Sequence, residues 1–297
     1  MPPPTPRRRA GATRTEPGPP PVRAIVTRPE PQAGQWVRAL QGRGVDAAAL
    51  PLIAIEPVAD TAPLHAAWAA LAEQALVMYV SPTAVLQFHA HAPAGAGFPA
   101  GTLAASPGPG TSRALREAGV PAAQIVEPAA DAPRFDSEAL WAQLAARDWH
   151  GQRALIVAGE GGRAWFADTL RAQGADVSVL SVYRRAPPQL DAAGAALLAQ
   201  ALAGPQAHVW LFSSSEAIDR LESLASARPD AVRIGEPIAE PVAEHVAEPI
   251  AERFADACAV ATHPRIADRA RMLGIGRVIE SRPGLDDIVG CIQSIRS

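Results

Sequence analysis

From Val22 onward, short apolar runs alternate with amphipathic stretches, and that rhythm predicts the architecture. Val22 to Val26 reads as a strand, and Gln32 to Gly42 as a helix with Trp36, Val37 and Leu40 on one stripe. Gly44 breaks it, and Asp46 to Ile55 reads as a second strand, completing a β-α-β unit. The pattern recurs. Ala75 to Val80, Gly101 to Ser106, Ile125–Val126, Ala154 to Ala158 and Asp176 to Tyr183 read as strands. Between them lie helices at Ser81 to Ala90, Ser112 to Ala118 (after a Gly108 to Thr111 turn), Ser137 to Ala146 and Gly162 to Gln173. Past Pro187 and Pro188 the cycle restarts. Helices are predicted at Leu190 to Leu202, Ser215 to Leu224, Arg265 to Leu273 and Leu285 to Ile295, and strands at His208 to Phe212, Ala257 to Ala261 and Arg277 to Glu280. Such alternation means α/β architecture with doubly wound parallel sheets, in a chain long enough for two.

Two segments fall outside the rhythm. Met1 to Pro21 is mostly Pro, Arg, Gly and Thr, cannot bury a face and reads as a disordered tail. Residues 236–255 repeat a four-residue unit, EPIA, EPVA, EHVA, EPIA, ERFA. Pro237, Pro241 and Pro249 would each break a helix, so the stretch reads as an extended, exposed Glu-Pro loop.

Composition narrows the function. Hydrophobic residues make up 48% and charged residues 19%, as in globular proteins, and the net charge of -3 leaves no basic footprint for nucleic acid. All 27 basic residues are arginine, so Schiff-base chemistry is excluded, and anions must be held by Arg, His or backbone N–H groups. Cys258 and Cys291 have no metal-ligand or disulfide spacing and read as buried thiols. No apolar run approaches the roughly 18 residues of a membrane helix. The basic N-terminus lacks the apolar core of a secretory signal, so the expected location is cytoplasmic. His89 and His91 read as a solvated loop rather than a metal pair.

Ligands of open α/β sheets bind where strands end and helices begin. Those turns read Thr27-Arg28-Pro29, Ser81-Pro82-Thr83, Gly108-Pro109-Gly110-Thr111, Gly159-Glu160-Gly161-Gly162-Arg163, Ser213-Ser214-Ser215 and Thr262-His263-Pro264-Arg265. Each alone is explained by helix capping. Together, small hydroxyls, glycines and arginines beside free helix N–H groups describe a site for a ligand with many carboxylates. There is no dinucleotide fingerprint, phosphate-loop lysine or nucleophile elbow. Tyr183 ends its strand just before Arg184 and Arg185, where its ring could cover the sheet edge or its phenol could donate a proton.

The ordered set A-I-V-T-R-P, L-P-L-I-A-I-E-P, V-M-Y-V-S-P-T-A-V, P-G-P-G-T-S-R-A-L, G-E-G-G-R, V-S-V-L-S-V-Y-R-R and A-T-H-P-R-I-A resembles the uroporphyrinogen-III synthase family from Val22 to the C-terminal helix. Ala158, where the family pattern has arginine, and the Glu-Pro repeat are departures. The resemblance implies two flavodoxin-like domains joined by a two-stranded linker: a discontinuous one over 22–56 plus 188–297, and a continuous one over 57–187. It implies a cofactor-free, monomeric lyase without metal, nucleic-acid or membrane partners, taking hydroxymethylbilane, with transient hand-over from the preceding pathway enzyme. Loss of water would give an azafulvene, then a spiro intermediate that recloses with ring D inverted, in porphyrin biosynthesis. Tyr183 would assist departure of the hydroxyl. Thr27, Arg28, Ser81, Thr83, Gly108, Thr111, Gly162, Ser213, Ser214, Thr262 and Arg265 would bind substrate. The rival reading is a non-catalytic tetrapyrrole or anion sensor on the same fold.

Overall fold

The computed structural model describes residues 22–226 and 250–295. The tail to Pro21 and most of the Glu-Pro repeat lie outside these residues. Two sheets organise the chain. The first contains β1 (Arg23–Val26), β2 (Ala47–Ala49), β9 (His208–Phe212), β10 (Cys258–Ala261) and β11 (Arg277–Glu280), all parallel, in the order β11-β10-β9-β1-β2. This order reverses between β1 and β9, the switch point at which such sheets bind ligands.

The parallel strands of the second sheet are β4 (Leu76–Tyr79), β5 (Leu103–Ala105), β6 (Ile125–Val126), β7 (Arg153–Gly159) and β8 (Asp176–Ala186). Its edge strand β3 (Ala54–Pro57) runs antiparallel to the end of β8, pairing Ala54 with Ala186 and Pro57 with Tyr183. The order is β3-β8-β7-β4-β5-β6, with the switch point between β4 and β7. Strands β3 and β8 carry the chain into and out of the second domain.

Both sheets are buried on both faces, so their strands show unbroken apolar runs. Alternate residues still divide between two cores. Ile25, Trp210 and Phe212 pack with α8 (Ser215–Ser226) and α10 (Pro264–Met272). Val26, Val209 and Leu211 pack on the opposite face with Trp36 and Leu40 of α1 (Gln32–Gln41) and with Ile288 and Ile292 of α11 (Leu285–Ile295). In the second domain, Val77, Tyr79 and Val157 meet α3 (Pro82–His89) and α4 (Pro109–Glu117). Leu76, Met78 and Ile156 meet α5 (Ser137–Leu144) and α6 (Trp165–Ala172). The remaining long helix, α7 (Ala192–Ala203), packs Leu198 and Ala201 into the first core.

Several elements differ from expectation. The single strand expected over Asp46 to Ile55 is two, β2 and β3, in different sheets, separated at Leu50-Pro51-Leu52-Ile53. Leu50, Leu52 and Ile53 are buried there, so apolar continuity marked a core crossing rather than one strand. Helix α2 (Ala62–Ala69) is additional; it buries only Leu64 and Trp68, too short a stripe to stand out. Helix α4 begins at Pro109, where the missing N–H of proline costs nothing. Helix α6 begins at Trp165, leaving Gly162 in the preceding loop. The last repeat unit is not an exposed loop: Ile250–Arg253 form α9, and Phe254 is 1% exposed. That unit has Arg where the others carry Pro or His, and its Phe supplies the apolar volume that joins it to the core. Cys258 and Cys291 are only half-buried, and burial pushes the Cys258 thiol up.

Candidate active site

The C-terminal ends of the central strands of both sheets open on one cavity of about 330 Å³ between the domains. Arg28, Ser213 and Thr262 come to it from the first sheet, and Ser81, Gly108 and Thr111 from the second. These expected residues, distant in sequence, thus share one space. Thr111 belongs to the first turn of α4, and Ser81 caps α3, accepting from the Ala84 N–H at 3.1 Å. Helix N-termini with such caps present positive potential to anions.

Tyr183 is 2% exposed and does not itself line this cavity. Its hydroxyl lies 3.2 Å from Ser81 Oγ, so Ser81 stands between the phenol and the open space. The ring rests directly against Gly159. A Cβ at that position would sit 2.5 Å from Tyr183 Cε2, so only glycine admits the ring as placed. The Arg185 guanidinium lies over the ring, 5.8 Å from its centre. A chain of β7, β8 and α3 contacts therefore fixes the phenol.

The other expected residues do not line this cavity. The Thr27 hydroxyl donates to the Leu211 carbonyl at 2.8 Å, tying β1 to β9 within the first core. Thr83 accepts from Gln32 Nε2 at 2.9 Å, a buried hydrogen bond from α1 across to α3 of the other domain. Ser214 caps α8 through the Glu216 N–H. Gly162 and Arg265 are exposed and do not line the cavity. The Ala158 side chain is buried in β7 at 4% exposure, where an arginine would have to leave the sheet.

Sequence reasoning missed part of the lining: Gln35, Trp36, Arg113, Phe135 and the Pro283–Leu285 turn. Arg113 was legible as a cation one turn beyond Pro109, but Phe135 lies in a loop without periodicity. Ser106 and Ser112 were also missed. Both are fully buried; the Ser112 hydroxyl donates to Ser106 Oγ at 3.0 Å, and Ser106 donates to the Gly108 carbonyl, shaping the turn into α4.

Arg28 is half-buried, with its guanidinium 4.7 Å over the Trp36 ring. Burial first, then the charge of Arg113, lowers its pKa to about 10. His89 is not solvated as expected: its ring lies against Tyr79 and Trp68, its Nε2 is 3.3 Å from Tyr79 Oη, and burial lowers its pKa to about 4. Burial likewise pushes the Tyr79 phenol up.

Further contacts cross the cleft. His263 Nδ1 accepts from the Arg265 N–H, leaving Nε2 to face Asp136 Oδ2 at 3.5 Å, an ion-pair distance beyond good hydrogen-bond geometry. Arg282 donates to the carbonyls of Ala130 and Ala132 at 2.5 and 3.4 Å and covers Phe135. Arg185 approaches Glu216 at 3.6 Å.

Comparison with known proteins places this geometry. The sequence profile of the family described as "Uroporphyrinogen-III synthase HemD" matches residues 34–290. A uroporphyrinogen-III synthase of Salmonella typhimurium is 33% identical over 174 residues, spanning 58% of this chain and 69% of the relative. The crystal structure of a mutant uroporphyrinogen III synthase from the extremely thermophilic bacterium Thermus thermophilus shares the fold at 18% identity, with a TM-score of 0.54 over 92% of this chain and 98% of that one. None of the helices among the described residues is long and apolar enough to cross a membrane. The chain belongs to the uroporphyrinogen-III synthase family, lyases of porphyrin biosynthesis that close a linear tetrapyrrole into uroporphyrinogen III.

Proposed function

We propose that the cavity between the sheets binds hydroxymethylbilane and that this chain orients its closure through carboxylate contacts, with Tyr183 and Ser81 assisting the departing hydroxyl. The observation that carries the reading is the convergence of both switch points, the starts of α3 and α4, and two guanidinium groups on one cavity. Spontaneous closure of the open tetrapyrrole gives the symmetric type I ring. An enzyme making the type III ring must hold one bend of a flexible chain, work that orientation alone can do.

Ser81 supports the proton step. A serine hydroxyl has one proton to donate and two lone pairs. One lone pair accepts from Ala84 N–H, and the other can accept from the Tyr183 phenol. The serine proton is then free to point into the cavity at the leaving hydroxyl. As water departs from the hydroxymethyl carbon, Ser81 gives up its proton and regains one from Tyr183. Ring nitrogen electrons form the azafulvene cation, and the proton that ring D releases on final closure returns through Ser81 to the Tyr183 phenolate.

The test is incubation with freshly made hydroxymethylbilane, with isomers I and III separated by chromatography, for wild type, Tyr183→Phe and Ser81→Ala. Wild type should give predominantly isomer III. Tyr183→Phe should slow turnover roughly tenfold to several thousandfold, the worth of one hydrogen bond or proton donation of about 1.5–5 kcal/mol. Ser81→Ala should fall in the same range. Wild-type rates in both variants would remove the pair from the mechanism.

A further inference from the structure

Two guanidinium groups enter the cavity from opposite domains, and neither is paired with a carboxylate among the described residues. Arg28 follows β1, and Arg113 sits on α4. Arg28 Nε is buried without a hydrogen-bond partner among the described residues, and its guanidinium lies over the Trp36 ring. Arg113 makes no hydrogen bond or ion pair among the described residues. Neighbouring arginines at the cleft behave differently: Arg185 faces Glu216, and Arg282 is satisfied by two carbonyls. The single carboxylate in the lining, Glu117, lies one turn along α4 from Arg113 and pairs with neither guanidinium.

This arrangement is costly for the empty protein. A buried donor without a partner loses its hydration and gains nothing, and two like charges in a shared cavity repel. One carboxylate placed between them reverses both effects, because guanidinium forks match carboxylates in geometry and charge.

We propose that Arg28 and Arg113 together receive a single acetate or propionate carboxylate of the substrate, and that this shared anion draws the two domains together over it. The inference rests on the cavity being the substrate site. It makes both arginines binding residues that act on closure rather than on the chemical step. The loss from either variant should appear in KM and leave kcat within about threefold.

The test uses uroporphyrin III, a stable cyclic polycarboxylate, titrated by fluorescence into wild type, Arg28→Gln, Arg113→Gln, Arg113→Lys and the double Gln variant. Small-angle scattering with and without ligand reports closure, and steady-state kinetics on hydroxymethylbilane separates KM from kcat. Arg113→Gln should bind ten- to a hundredfold more weakly, the worth of a charge-assisted hydrogen bond. It should also lose the ligand-induced compaction seen in wild type. Arg113→Lys should recover part of the affinity. The double variant should be little worse than either single one, because both groups hold one anion. Arg113 is exposed on its helix, so its variants fold even if Arg28→Gln does not. Wild-type affinity in Arg113→Gln, or additive losses in the double variant, overturns the proposal. Ser81→Ala distinguishes the two levels. If it weakens binding while the arginine variants do not, only the shared-anion proposal fails. If none of them changes binding or turnover, the cavity is not the substrate site.

Discussion

Replacing Gly159 with alanine should disable the site without touching a polar group. An added Cβ would lie 2.5 Å from Tyr183 Cε2, 2.6 Å from Cζ and 3.0 Å from the hydroxyl oxygen. Ordinary contacts between such atoms are about 3.5–4.0 Å. The ring must therefore shift by about 1 Å or β7 must bend, and neither is free to do so. Tyr183 is buried among Val157, Val182 and Tyr79, and Gly159 is held in register beside it at the β7–β8 irregularity. Overpacking of this kind costs about 1–3 kcal/mol of stability. A 1 Å displacement also breaks the 3.2 Å contact with Ser81, and misplacement on that scale costs about a hundredfold in rate. The assays are urea unfolding and isomer-resolved turnover. The control is Gly159→Ala in a Tyr183→Ala background, where the clash is gone. There the substitution should be neutral or stabilising by up to about 1 kcal/mol, since alanine is less flexible than glycine. An equal cost in both backgrounds would refute the argument, as would a Gly159→Ala protein with unchanged stability and turnover.

Phe254→Ala should lower stability by about 3–5 kcal/mol in the same urea assay, because this residue, just past the end of α9, is fully inside the first core. Deleting Met1 to Pro21, which has no apolar face, should leave turnover within about threefold. Acid stability should depend on His89. Its pKa falls from 6.5 to about 4 in the fold, so the unfolded chain binds the extra proton between these values. Stability is then full above pH 6.5, declines as pH falls toward 4, and loses on the order of 2–3 kcal/mol. His89→Gln should flatten that part of the profile, and an unchanged slope would assign the acid sensitivity elsewhere.

The strand-helix rhythm was legible because both sheets are buried on two faces, which forces short, uniformly apolar strands. The same property hid the passage from β2 to β3: Leu50, Leu52 and Ile53 are as apolar as a strand, yet they pack into the core of the first domain without pairing as one. Only the pairing partner tells these cases apart, and pairing is not local. The lining of the cavity was legible where it comes from strand ends, as with Arg28, Ser81, Gly108 and Thr111. Turn position alone did not separate the hydroxyls that line the cavity from those that do not. Thr27 and Thr83 have the residue type and turn position of binding groups, but nearby acceptors or donors at Leu211 and Gln32 take their hydrogen bonds. Phe135 and Arg282 reach the cleft from loops, where no periodicity announces a direction.

The contacts that join the domains are weak enough for the proposed substrate carboxylate to govern the cleft. Gln32–Thr83 is a neutral hydrogen bond, worth about 0.5–1.5 kcal/mol net. Arg185–Glu216 is a partly exposed ion pair of the kind that contributes about 0–1 kcal/mol, and His263 faces Asp136 at 3.5 Å, too far for a good hydrogen bond. Arg282 adds carbonyl contacts of similar modest worth. Their sum is a few kcal/mol, set against the desolvated charge of Arg28 and its repulsion by Arg113. Such a balance can be tipped by one or two carboxylates, whereas a large apolar interface could not. The cavity of about 330 Å³ suits a drug-sized ligand, and a linear tetrapyrrole with its carboxylate arms is larger. On the proposal that this cavity takes the substrate, admission parts the weak contacts and the ligand supplies on closure what they lack. Removing one latch tests this balance: His263→Ala also removes the N-cap of α10, so it should cost about 0.5–2 kcal/mol of stability, and it should enlarge the protein in solution scattering. A wild-type radius in that variant would show that the domains are held by something other than these contacts.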